Sequence, residues 1–141
     1  MSEDGRWVLL LPYRRLPLSA NDRPHYQAKA RITAEIRRDA WALAKAHRIP
    51  ALKAVMVEFI HYPGNNVRHD GGNAAPTLKA LIDGLVDAHV LPDDDSSRVL
   101  SESLRAVARR DDPYDLKTPR MVLVIRDASA LAPLDHYGPE A

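Results

Sequence analysis

The chain has 141 residues and 15.7 kDa, 45% of them hydrophobic and 28% charged, the size and mix of one globular domain with no room for a second core. The absence of cysteine excludes disulfide frameworks, thiolate zinc sites and cysteine nucleophiles, and no apolar run approaches the roughly 20 residues that span a bilayer. The net charge of +1 conceals an asymmetry: residues 1–60 carry eleven Lys and Arg against six Asp and Glu, and the other 81 carry nine against thirteen. No charged-then-apolar leader resembles a signal peptide, so the expectation is a cytoplasmic protein.

Arg6 to Pro12 reads as a buried strand, with Trp7, Val8 and three leucines closed off by proline. Residues 12–26 hold three prolines and several turn formers, which predicts a loop. From Ala28 to His47 the period lengthens: Ile32, Ile36, Ala40, Leu43 and Ala44 share one helical face, with Arg31, Glu35, Arg38, Asp39 and Lys45 mostly off it. Pro50 forbids more helix. Lys53 to Tyr62 alternates around Val55, Val57, Phe59 and His61, a strand pattern. Residues 63–76 are loop by composition, and Pro76 suits a helix's first turn. Leu78, Leu81, Ile82 and Leu85 then form a buried stripe on a helix ending near His89. Val99–Arg109 alternates weakly, and Met121–Ile125 is a compact buried strand. Residues 1–128 therefore form the domain and 129–141 a loose tail. The order β-α-β-α-β-β predicts an α+β fold, two helices against one mixed sheet.

Chemistry-bearing residues concentrate between Arg68 and Asp95. Asp70 lies in a loop after a strand, Lys79 and Asp83 are four apart on the second helix, and Asp93, Asp94 and Asp95 follow that helix. Residues i and i+4 share a helical face, so Lys79 and Asp83 point together away from the leucine stripe. A strand-end loop and a post-helix turn brought together would converge carboxylates, the oxygen donors that Mg²⁺ takes one or two at a time with water and substrate phosphate. Such ions activate water and stabilise the leaving oxygen in phosphodiester hydrolysis, often as a pair about 4 Å apart, and a lysine beside them stabilises transition-state charge. Spacing alone equally permits a surface i,i+4 ion pair, an acidic solubilising turn, and ordinary turn chemistry at Asp70 before two glycines.

The stretch Arg68-His69-Asp70-Gly71-Gly72-Asn73, then Pro76-Thr77-Leu78-Lys79-Ala80-Leu81-Ile82-Asp83, then Ala88-His89-Val90-Leu91-Pro92-Asp93-Asp94 resembles the RusA family of Holliday junction resolvases. Those are small dimeric Mg²⁺-dependent endonucleases that cut four-way DNA junctions. Their pattern is a basic stretch, Asp-x-Asp-Asn, a lysine opening a helix, an alanine-leucine-aspartate run and a Gly-Val-x-x-Asp-Asp turn. The Lys79-to-Asp94 spacing is similar to that between the family's catalytic lysine and final aspartate. Ser19-Ala20-Asn21-Asp22-Arg23-Pro24-His25-Tyr26, leading into a basic helix, looks similar too, so the resemblance covers about residues 6–126.

The resemblance implies a RusA-like homodimer acting on branched DNA with Mg²⁺, or Mn²⁺ in its place. It makes Asp70 and Asp94 metal ligands, Lys79 an aid to phosphoryl chemistry, and has Asn73 and Asp83 line or brace the site, with Asp93 an alternative ligand. Arg23, Lys29, Arg31 and Arg68 become candidate DNA contacts, binding phosphates without reading sequence. Two departures stand out. Gly72 replaces the second aspartate of Asp-x-Asp, removing half of a grip that residues two apart in an extended segment would share, and the Asn73-to-Lys79 spacing is three residues longer than the family's shortest. Asp83, Asp93 or Asp95 would supply the missing carboxylate, or the metal binds more weakly, or the protein binds junctions without cutting them. A third alternative is a scaffold or interaction protein whose acidic turn is only surface.

Overall fold

The computed structural model describes residues 4–23, 25–131 and 138–139. Four strands and two main helices follow the expected order: β1 (Arg6–Leu10), α1 (Tyr26–Ala46), β2 (Val55–Tyr62), α2 (Ala75–Asp87), β3 (Val99–Ala106) and β4 (Arg120–Asp127). Two short 3-10 turns, Gly71–Ala74 and Arg109–Asp111, interrupt the loops before α2 and after β3. The third strand ends three residues before the expected Arg109, where the chain turns into the second of these. The expected tail begins at Ser129, and most of it lies outside the described residues.

The sheet has the order β1-β4-β2-β3 and is mixed. β4 is antiparallel to both β1 and β2, while β3 is parallel to β2 and joined to it through α2. A parallel pair needs such a crossover, because a tight turn cannot return the chain to the same direction. β1, β2 and β3 therefore run one way, and the segments following them emerge at a single edge of the sheet.

Alternation decides which face is covered. Trp7 and Leu9 of β1, Val55, Val57 and Phe59 of β2, and Met121, Leu123 and Ile125 of β4 are all buried on the helix side. The helices answer with Ile36, Ala40 and Ala44 from α1 and Leu78, Leu81, Ile82 and Leu85 from α2. On the opposite face Val8 and Leu10 stay exposed. The helices approach closely at Gly84, where an added Cβ would stand 2.5 Å from the Arg37 carbonyl oxygen and 2.6 Å from the Ala40 Cβ. A fork of two hydrogen bonds from Arg37 to Asp87, at 2.9 and 2.8 Å, closes the same seam on the solvent side.

Both helices end the same way. Arg48 (φ 54°) and His89 (φ 62°) take the left-handed conformation one residue past the C-cap. Ile49 then donates to Ala44 O at 3.1 Å and Val90 to Leu85 O at 3.0 Å, the six-to-one bond of a Schellman motif, with Pro50 and Pro92 just beyond. Among the described residues no helix is long and apolar enough to cross a membrane.

Candidate functional site

α2 carries the site because its buried face is wide and its exposed face narrow. Thr77, Leu78, Ala80, Leu81, Ile82, Gly84 and Leu85 all point inward, which leaves Lys79 and Asp83 to share the exposed strip one turn apart. Thr77 fixes the entry to this helix. Its side chain is fully buried, and its hydroxyl donates to Leu18 O at 2.6 Å while accepting from Leu18 N at 3.2 Å. Ala20 N donates to Asn73 O at 2.9 Å, so the Ser19–Arg23 segment is tied to both the 3-10 turn and the helix.

Lys79 is the centre of the cluster. Its Nζ donates to Asp83 Oδ1 at 2.9 Å and also to Asp94 Oδ2, bringing together residues 4 and 15 positions away. Asp94 is held from behind, its own N–H donating to Asp93 Oδ1 at 2.8 Å. The two carboxylates raise the pKa of Lys79, the hydrogen bond to Asp94 contributing most, and the same bond lowers that of Asp94. Lys79 is therefore a persistent cation and Asp94 a persistent anion at neutral pH. Lys79 cannot act as a general base in this arrangement; it offers a fixed positive charge.

The other acidic residues divide by role. Asp95 accepts from Ser97 N at 2.8 Å and from the Ser97 hydroxyl, which lowers its pKa, while its carbonyl receives Arg98 N and Val99 N at 2.9 Å each. It caps the turn into β3. Asp70 caps the 3-10 turn, its Oδ1 accepting from Gly72 N at 2.9 Å, and it is exposed. Gly71 seats that turn on β3, because a Cβ there would stand 2.8 Å from the Arg105 Cα. At Gly72 a Cβ would meet Asp70 Oδ1 at 3.3 Å, so an aspartate at this position would stand beside the Asp70 carboxylate. Arg23, Lys29, Arg31 and Arg68 are all exposed, and none pairs with an acid among the described residues.

The arrangement brings Lys79, Asp83 and Asp94 to one point, with Asp93 buttressing Asp94. Among the described residues no group of three or more His, Asp or Glu side chains is placed to hold a metal ion. Asp83 and Asp94 supply hard oxygen donors of the kind Mg²⁺ takes one or two at a time, and both face the Lys79 ammonium, which an ion bound at this point would have to displace. Of Asp83, Asp93 and Asp95, Asp83 is the one whose carboxylate shares the Lys79 ammonium with Asp94.

Sequence reading passed over two further features. Asp112, buried, takes two hydrogen bonds from Arg120 at 2.7 and 3.0 Å, which brings its pKa down to about 2, and the guanidinium lies 3.8 Å from the Tyr62 ring centroid. This pair locks the β3–β4 connection onto the end of β2. The second is a ring contact between His61 and His69, centroids 5.4 Å apart, at the edge where β1, β2 and β3 end. The signal for it was present: His61 continues the inward alternation of Val55, Val57 and Phe59, where an apolar residue is the rule. Burial, and the neighbouring His69, lower its pKa below the usual imidazole range.

No protein-family model and no curated protein matches this chain.

Proposed function

We propose that the protein is a structure-specific endodeoxyribonuclease of the RusA type, which resolves four-way DNA junctions by Mg²⁺-dependent phosphodiester hydrolysis in the cytoplasm. The observation that carries the reading is the Lys79 bridge: the lysine and final aspartate of the resembled pattern, 15 residues apart, meet at one ammonium group with Asp83. The fold order and the sequence series Asp70, Asn73, Lys79, Asp83, Asp94 support it further.

In this reading Asp94 and Asp83 would hold Mg²⁺, with Asp70, in the loop after β2, a further candidate ligand and Asp93 steadying Asp94. The ion, when bound, polarises the phosphate and lowers the pKa of bound water. Lys79 stays protonated and stabilises the extra negative charge on the phosphoryl group as the bond breaks. Arg23, Lys29, Arg31 and Arg68 neutralise backbone phosphates, so recognition follows junction shape and weakens steeply with salt. A junction offers two strands to symmetric cutting, which a two-fold homodimer with two sites matches.

Gly72 favours a second reading, a junction-binding protein that does not cut, since it deprives Asp70 of its carboxylate neighbour. Incubation of a labelled synthetic four-way junction and the matching linear duplex, with Mg²⁺, Mn²⁺ or chelator, separates the two. Paired symmetric nicks in the junction that vanish in chelator are expected of the nuclease. Tight binding without nicks in either metal would replace it with the binding protein, and neither binding nor nicking would refute both.

A further inference from the structure

Because β1, β2 and β3 run in one direction, the segments that follow them share one edge of the sheet. Arg14 and Arg15 follow β1, His61 lies at the end of β2, and His69 stands in the loop after it. These four side chains line a hollow of about 330 Å³ whose wall includes no carboxylate. Arg14 and Arg15 are exposed and pair with no acid among the described residues. On the other side of His69 a second hollow, about 270 Å³, adds Arg68 and Arg110; Asp111 is the acid on its wall, 3.9 Å from the Arg110 guanidinium.

Arg14 and Arg15 come from the basic first sixty residues, whereas Arg68 and Arg110 lie in a stretch, 61–141, that carries more acidic than basic groups. Arg14 and Arg15, with no carboxylate on the wall of their hollow, repel one another, and a bound anion relieves that repulsion. Guanidinium forks match phosphate oxygens two at a time, and imidazole rings add single N–H donors. Two adjoining cationic hollows, open to solvent and sharing His69, suit an extended polyanion better than one compact anion.

We propose that this edge is a phosphodiester-binding track, in which Arg14 and Arg15, with His61 and His69, hold the backbone of the DNA arm that approaches Asp70. The proposal rests on the nuclease reading and assigns to it a contact surface away from α2. His69 directly precedes Asp70 in the chain, so a strand held here is delivered to the loop that carries the candidate ligand.

Binding of a fluorescent four-way junction, followed by anisotropy in chelator over a range of salt, tests it. The double variant Arg14→Ala/Arg15→Ala is compared with Arg48→Ala/Lys53→Ala. The latter removes the same charge from exposed residues between α1 and the start of β2, away from this edge. Thermal melts confirm that both fold. The expected result is an approximately tenfold or greater loss of affinity for the first variant, its slope of log affinity against log salt shallower by about 1–2, with the second close to wild type. Wild-type binding with the first variant unchanged, or with both variants weakened equally, would overturn the track and leave the nuclease reading standing. A wild type that binds no DNA would overturn both.

Discussion

Replacing Thr77 by Val would break the attachment of the 18–22 segment to α2 while keeping the shape of the side chain. The hydroxyl is the partner of both polar groups of the Leu18 backbone, at 2.6 and 3.2 Å, in a fully buried position. Valine would leave one buried N–H and one buried C=O unsatisfied, each costing about 1–3 kcal/mol. Partial relaxation toward water on the Leu18 side sets the expected loss at about 2–4 kcal/mol. For a domain of this length that is a fall in Tm of about 6–12 °C, read by calorimetry or circular dichroism. Thr77→Ser keeps the hydroxyl and loses one methyl, so it should cost only about 1 kcal/mol. A Val variant as stable as wild type, or a Ser variant as damaging as Val, would show that the hydroxyl does not anchor this segment.

Gly72→Asp should place a carboxylate beside Asp70 and tighten Mg²⁺ binding, measured by calorimetric titration; unchanged affinity would show that Asp70 belongs to no metal site. At Gly84 even alanine must displace the Arg37 carbonyl or the Ala40 methyl, so Gly84→Ala is expected to cost about 1–3 kcal/mol in denaturant unfolding, and a neutral result would contradict the close helix approach. The depressed pKa of His61 has a definite sign. Between the ordinary value of 6.5 and its lower folded value, the unfolded chain takes up a proton that the folded chain refuses, so stability falls as pH drops through that window. His61→Gln should flatten this part of the stability-pH curve, and an unaltered slope would place the acid sensitivity elsewhere.

The elements were legible because the burial periods are clean: the five apolar positions assigned to α1 and the four to α2 are all buried or partly buried against the core. The helix ends were legible only through Pro50 and Pro92. The left-handed residues that terminate the helices are Arg48 and His89, where the usual signal is glycine or asparagine. Lys79 and Asp83 could be paired from spacing, since a helix makes that contact local. The meeting with Asp94 depends on how the chain doubles back after α2, which periodicity does not encode and only the family resemblance suggested. The His61–His69 contact and the Asp112–Arg120 pair each span eight residues across a strand end and its adjoining loop, and periodicity does not encode the path of such a loop.

Lys79 and Asp94 are proposed as the working part of a phosphodiester-cleaving site. Single-turnover cleavage of a four-way junction by wild type, Asp94→Asn and Lys79→Met, with junction binding measured beside it in chelator, is the decisive experiment for that role. Symmetric nicking by the wild type in Mg²⁺ is expected, with a loss of roughly 100-fold or more in rate for each variant, consistent with removal of one pre-organised charge, and junction binding retained in both. Wild-type nicking that either variant leaves intact would contradict it.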